Sequence, residues 1–212
     1  MTTIKLNELE VSFPDNWSEV RMDQFLRFML WIQNKPEKFL FGYEEILYNI
    51  ELISIFSFDK VDTKQVEKVK LSELTPVIET LGNFVSSIPV FEKRNYVVSD
   101  DVLYAFADLN NLSAGEYISF RQISETKKDL EAIPYLLSII CRPAKKVFNE
   151  EKKEDMFILD EFNSDDIEWR ADKMRSLPAL ELMGAANFFL IGNEKLIEGL
   201  VGSMNKKEVE EI

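Results

Sequence analysis

The chain reads as a mainly α protein of the α+β kind, a helical, bundle-like body carrying small β-hairpins. Three observations predict this. Apolar residues make up 46% and aromatics 12% of 212 residues, enough for a packed core and too much for a disordered chain. Glycine and proline are scarce, at seven each, while Leu, Ile, Glu and Lys are abundant, a balance that favours helix. Finally, apolar residues recur at helical spacing along most of the chain, and strand-like patterning is confined to two short stretches.

The first such stretch opens the chain. Ile4, Leu6, Leu9, Val11 and Phe13 alternate on either side of Asn7-Glu8, which predicts a hairpin with a two-residue turn. Pro14-Asp15-Asn16 ends it. Met22, Phe25, Leu26 and Met29 then predict a helix to about Ile32, stopped by Lys35-Pro36. A second helix is expected from Tyr43 to Phe56, with Ile46, Leu47, Ile50 and Ile53 inward. Asp62–Val69 is a short amphipathic piece. Ser72–Ser86 predicts a longer helix capped by Ser72, with Pro76 in an early turn where proline is tolerated.

Beyond Pro89, Tyr96–Val98 and Leu103–Phe106 predict two strands joined at Ser99-Asp100-Asp101. Ser113 and Glu116 have the spacing of a capping box, in which each side chain satisfies a free amide at the helix start. That helix is expected to reach Thr126, and another to cover Leu130–Cys141 and end at Arg142-Pro143. Glu150–Lys173 is polar, with a helix from about Ser164. Ser176-Leu177-Pro178 then opens a last helix running to about Met204, and Asn205–Ile212 is a charged tail.

WSEVRMDQFLRF (17–28) and LNNLSAGEYISF (109–120) lie 92 residues apart and agree in apolar or polar character at all 12 positions. About five such matches are expected by accident in a chain of this length. The added signal is the similarity of paired residues: Gln24 with Glu116, Phe25 with Tyr117, Leu26 with Ile118, Phe28 with Phe120. This predicts a duplicated hairpin-plus-helices unit, with halves 1–88 and 89–212 that either stand alone or share one core. Arg21 takes the place of the capping Ser113, so the first cap is degraded.

The formal charge of −13 excludes a phosphate-backbone ligand, since such affinity comes from Lys and Arg. One cysteine, Cys141, has no disulfide partner and reads as a small core residue. No basic-then-apolar leader opens the chain and no apolar run is long enough for a membrane span, which predicts a protein of the reducing cytoplasm with no membrane partner.

Histidine is absent. That removes imidazole-based triads, imidazole-ligated zinc and the usual acid–base residue near neutral pH. The glycines form neither a dinucleotide fingerprint nor a phosphate loop. Asp160, Glu161, Asp165, Asp166 and Glu168 are dense, and residues 150–172 hold ten acidic against three basic residues, a net of −7. Their spacing lacks the glycine and alternation of a calcium loop, so they read as a solvated segment and helix start. No catalytic residue, metal or cofactor is expected, and the protein reads as a non-enzyme. Leu182–Ile191 is apolar nearly all round; it is either a core helix or a partner-binding face, with Met183, Phe188 and Phe189 as the contact residues.

PDNWSEVRMDQF, NYVVSDDVLYAFADLNNLSAGEYISF, IPYLLSIICRPAKKVF and RADKMRSLPALELMGAANFFL, in this order, resemble a group of small proteins encoded by tailed bacteriophages, especially those of Bacteroidetes. Phage tail-assembly chaperones share the late arrangement of a helix ending in Arg-Pro, a polar stretch, and a Leu-Pro helix with a Phe-Phe pair. The resemblance implies a non-enzymatic assembly factor in the host cytoplasm that holds an apolar helical partner, the tape-measure protein, and that forms a homo-oligomer. Two alternatives stay open: a structural component of the virion, and an acidic anti-host protein mimicking DNA.

Overall fold

A computed structural model describes residues 2–6, 9–58, 61–90, 92, 95–108, 111–150 and 153–184. They form a mixed α+β fold whose strands lie in two antiparallel sheets. The chain divides into two units, Met1–Val90 and Phe91–Ile212.

In the first unit, β1 (Thr2–Leu6) and β2 (Leu9–Phe13) pair with Leu6 opposite Leu9. The period-2 pattern puts Leu6, Val11 and Phe13 into the core. A short 3-10 turn at Trp17–Glu19 is capped by Asn16, whose side chain accepts from the Ser18 amide. Helix α1 (Met22–Gln33) follows, then α2 (Gly42–Phe56), α3 (Thr63–Val66) and α4 (Leu71–Val85), with α1, α3 and α4 all packed on α2.

Aromatic rings hold this unit together. Trp17 stacks on Phe84 with ring centroids 4.9 Å apart, and Phe56 meets both. The Trp17 indole N–H donates to the Phe84 carbonyl, so the one polar atom of a buried ring is satisfied. Trp31 and Tyr48 stack at 4.1 Å and each donates to the other's backbone carbonyl at 2.8 Å, tying α1 to α2.

Two details differ from the sequence reading. Leu47, expected inward, is exposed, because the buried stripe of α2 lies on its last two turns (Ile50, Leu52, Ile53, Ile55, Phe56) and not along its whole length. Ser72 is not a cap: α4 begins at Leu71 after Lys70. Pro76 therefore falls in the second turn, where its missing amide leaves the Ser72 carbonyl without the usual helical donor.

The second unit opens with β3 (Tyr96–Ser99) and β4 (Val102–Phe106), whose turn residues Asp100 and Asp101 both have positive φ. Such a turn matches the twist of the flanking strands, and Asp tolerates it better than bulkier residues. Helices α5 (Ala114–Thr126) and α6 (Asp129–Ile140) follow. The chain then passes from α6 into β5 (Cys141–Asn149) with no loop, and returns as β6 (Glu154–Leu159), giving a sheet of order β3-β4-β5-β6.

The sequence reading missed β5 and β6. The α6–β5 boundary carries no Gly or Asn, and Lys145-Lys146 breaks the apolar alternation that marks a strand. Pro143 stands where β5 changes partner, the last residue paired with β4 and one before the first paired with β6, so its missing amide falls beyond the β6 ladder while its carbonyl accepts from Asp160. A 3-10 turn (Ser164–Asp166) leads into α7 (Ile167–Ser176), which packs on α6. A last helical segment is described over 179–184.

Helices α1 and α5 start at Met22 and Ala114, 92 residues apart, and each follows a hairpin. The connections that come next differ: residues 34–41 link α1 to α2, whereas 127–128 link α5 to α6.

Candidate functional site

The first buried polar site lies where α5 begins. Ser113 accepts from the Glu116 amide at 3.3 Å, and one Glu116 carboxylate oxygen accepts from the Ser113 amide at 2.6 Å, completing the capping box. The other oxygen accepts from the Arg142 guanidinium at 2.5 Å. Glu116 and Arg142 are only 5% and 7% exposed, so this is a buried ion pair joining the start of α5 to β5. Burial lowers the Arg142 pKa, against the opposing pull of the Glu116 carboxylate. The guanidinium lies 5.9 Å from the Phe162 ring centroid, and a Cβ added at Gly115 would stand 3.5 Å from that ring.

Arg170, equally buried, donates to Asp166 one turn earlier on the 3-10/α7 join and lies over Trp169. Nε of Arg142 and Nε and Nη1 of Arg170 have no hydrogen-bond partner among the described residues. The cluster can hold elements in register; its arginines are committed to carboxylates and give no base or nucleophile.

The first unit solves the same local problem without charge. Gln24, at the position matching Glu116, is 1% exposed. Its Oε1 accepts from the Arg21 amide at 3.1 Å and its Nε2 donates to the Phe56 carbonyl at the end of α2. Arg21 itself turns away to pair with Asp23, since a guanidinium cannot accept from an amide.

Of the three residues singled out for partner binding, Met183 is half-buried between Leu182 and Gly184, which are both buried. Phe188 and Phe189 lie outside the described residues. Gly184 has a packing role of its own: a Cβ there would stand 2.1 Å from the Glu92 carbonyl oxygen. The helix backbone touches another backbone, which only glycine permits.

A surface that the sequence reading overlooked lies around the start of α2. Leu40 is 76% exposed, Tyr43 60%, and Phe41 and Leu47 about half, with Phe41 stacked on Tyr43 at 5.6 Å. The signal was present in FLFGY, which is too apolar for an ordinary loop, but the helical spacing of Leu47 masked it.

Other titratable groups are shifted by pairing or burial. The Lys173 ammonium bonds the Asp100 carboxylate, holding Asp100 below the usual carboxylate range and raising Lys173. Burial pushes the Cys141 thiol far up and raises Tyr48 to about 12. Among the described residues no three potential ligands group to hold a metal ion, and no helix is long and apolar enough to cross a membrane. Comparison with protein-family models, curated sequences and solved structures finds no match to this chain.

Proposed function

We propose that this chain is a non-enzymatic assembly factor of the phage tail-chaperone kind, which holds an apolar helical segment of a partner such as a tape-measure protein. The observation that carries the reading is the apolar corner formed by Leu40, Phe41, Tyr43 and Leu47. Large apolar side chains exposed close together in the chain mark contacts with other proteins, and Tyr43 and Leu47, four residues apart on α2, can meet the apolar face of a partner helix. The lack of histidine and the resemblance of the late segments to tail chaperones point the same way. The reading places the protein in the host cytoplasm, as a homo-oligomer that covers its apolar surface when no partner is bound. Met183, Phe188 and Phe189 remain partner-contact residues of the reading in their own right, tested separately from the corner.

The reading also includes duplication. Its support is the common 92-residue offset of the α1 and α5 starts, with Gln24 and Glu116 buried in the same role and Phe28 and Phe120 both in the core. Tyr117 and Ile118 are exposed where Phe25 and Leu26 are buried, so the copies have diverged in what covers them. An experimental structure in which 13–32 and 105–124 overlay with displaced helix starts counts against duplication.

The test of function is capture of a co-expressed tape-measure protein by the full chain and by Phe41→Asp and Phe189→Asp. Both variants are expected to fold, by circular dichroism, and to lose the partner. Unfolding of Phe189→Asp places that ring in the core, because a buried unpaired charge costs several kcal/mol, and removes the last helix from the contact. Undiminished capture by Phe41→Asp removes the corner.

A further inference from the structure

We infer that the open edge of β6 is a docking site for an extended, basic segment of another protein, taken up as an added strand. The inference is independent of the apolar corner: it concerns a different unit and an extended rather than helical partner.

The backbone supplies the first half of the argument. Among the described residues β6 pairs with β5 alone and stands at one end of the sheet. The Asp160 amide donates to Pro143 of β5, and in an antiparallel ladder alternate residues face alternate sides. Ile158 and Met156, opposite Lys145 and Val147 in the same register, therefore turn their amides and carbonyls toward β5. Those of Asp155, Phe157 and Leu159 face the open edge. An edge presenting such rungs is a template for another strand.

The side chains supply the second half. Met156 and Ile158 share one face of the β5–β6 arm with Val147, and Ile158 is 58% exposed. That face offers apolar contact to alternate residues of an incoming strand. Acid follows the apolar run in the chain: Asp160, Glu161, Asp165 and Glu168 are all exposed, while Asp155 before it is paired with Lys146 at 2.7 Å. The basic residues of the arm do not cancel this at the edge. Lys145 shares the face of Ile158, directly across from it, but lies on β5, one strand in from the open side, and Lys146 is taken up by Asp155. An apolar strip followed by carboxylates, on a segment of net −7, complements a strand with apolar residues at alternate positions flanked by Lys or Arg. A second copy of this chain fits less well, because pairing β6 with itself about Phe157 brings acidic ends together.

The test uses the full chain and a labelled probe peptide, Lys-Lys-Val-Thr-Val-Thr-Val-Lys-Lys, followed by fluorescence anisotropy. Saturable binding is expected. It should weaken about tenfold or more when the five central residues of the peptide are N-methylated, because the strand rungs are lost while charge remains. It should weaken similarly when the lysines are replaced by glutamates. Ile158→Lys should weaken the parent peptide with the melting temperature unchanged, since that side chain is mostly in solvent. Equal binding of the N-methylated and parent peptides overturns strand addition, as does a complete lack of saturable binding. Self-association of the chain that disappears in Ile158→Lys overturns it too, by giving the edge to a second copy. None of these outcomes alters the reading of the Leu40–Leu47 corner, which is tested by capture of a helical partner.

Discussion

Glu116 is the residue whose removal tests the physical account of the second unit most sharply. Glu116→Ala deletes two bonds at once. The Ser113 amide loses its acceptor, a capping loss of about 1 kcal/mol, and Arg142 is left as a buried cation whose Nε already lacks a partner. Breaking one side of a buried ion pair costs about 3–5 kcal/mol. The sum, about 4–6 kcal/mol, is a large part of the stability of an ordinary domain. Urea denaturation followed by circular dichroism measures it. Hydrogen exchange locates it, with α5 and β5 losing protection while α1 and α2 keep theirs. Gln24 shows how the pair can be replaced, since it does the same bridging without charge. Glu116→Gln combined with Arg142→Met should therefore recover most of what Glu116→Gln alone loses, with a coupling of about 2 kcal/mol. A loss below about 1 kcal/mol for Glu116→Ala, or additive losses in the double variant, refutes the claim that this pair locks α5 to β5.

Gly184→Ala should destabilise the second unit by about 1–3 kcal/mol, because the new methyl meets the Glu92 carbonyl; thermal melting checks it, and an unchanged melting point contradicts the close approach. Asp100 should titrate below the usual carboxylate range, and Lys173 above the usual ammonium range. The stabilisation from this pair is then complete between those ranges, lost as pH falls through the lowered Asp100 value, and lost as pH rises through the raised Lys173 value. Carboxyl NMR titration of the parent and of Lys173→Met reads this directly, and the Asp100 value should return upward in the variant. Cys141 is fully buried with its thiol pushed up by desolvation, so it should stay unreactive toward a thiol reagent in the native state and react at once in denaturant.

What the sequence made legible follows from local physics. Strong alternation marked β1 and β2, the Ser113/Glu116 spacing marked the start of α5, and the three- and four-residue recurrence of Met22, Phe25, Leu26 and Met29 marked α1. These signals act within a few residues and survive tertiary packing. The β5–β6 arm was illegible because its residues do not alternate cleanly, β5 follows α6 with no loop, and Arg142-Pro143 reads as the end of a helix. Leu47 misled for the opposite reason: its spacing is helical, but α1 packs on that turn at Tyr48 and leaves Leu47 exposed. At the candidate site, Glu116 was visible as a cap. Its second role was not, because the partner lies 26 residues away and Arg142-Pro143 reads more simply as the end of a helix. The Leu40–Leu47 corner could have been suspected from its composition alone, since five of the six residues from Lys38 to Tyr43 are apolar or glycine.

The assembly-factor reading rests on a partner that is bound during assembly and released afterwards. Quantitative mass spectrometry of this chain in infected cells and in purified mature particles tests that most directly. The account predicts abundant protein in the cell, recovered with a long helical partner, and none in the particle. A fixed copy number in mature particles contradicts it and makes the chain a structural component instead.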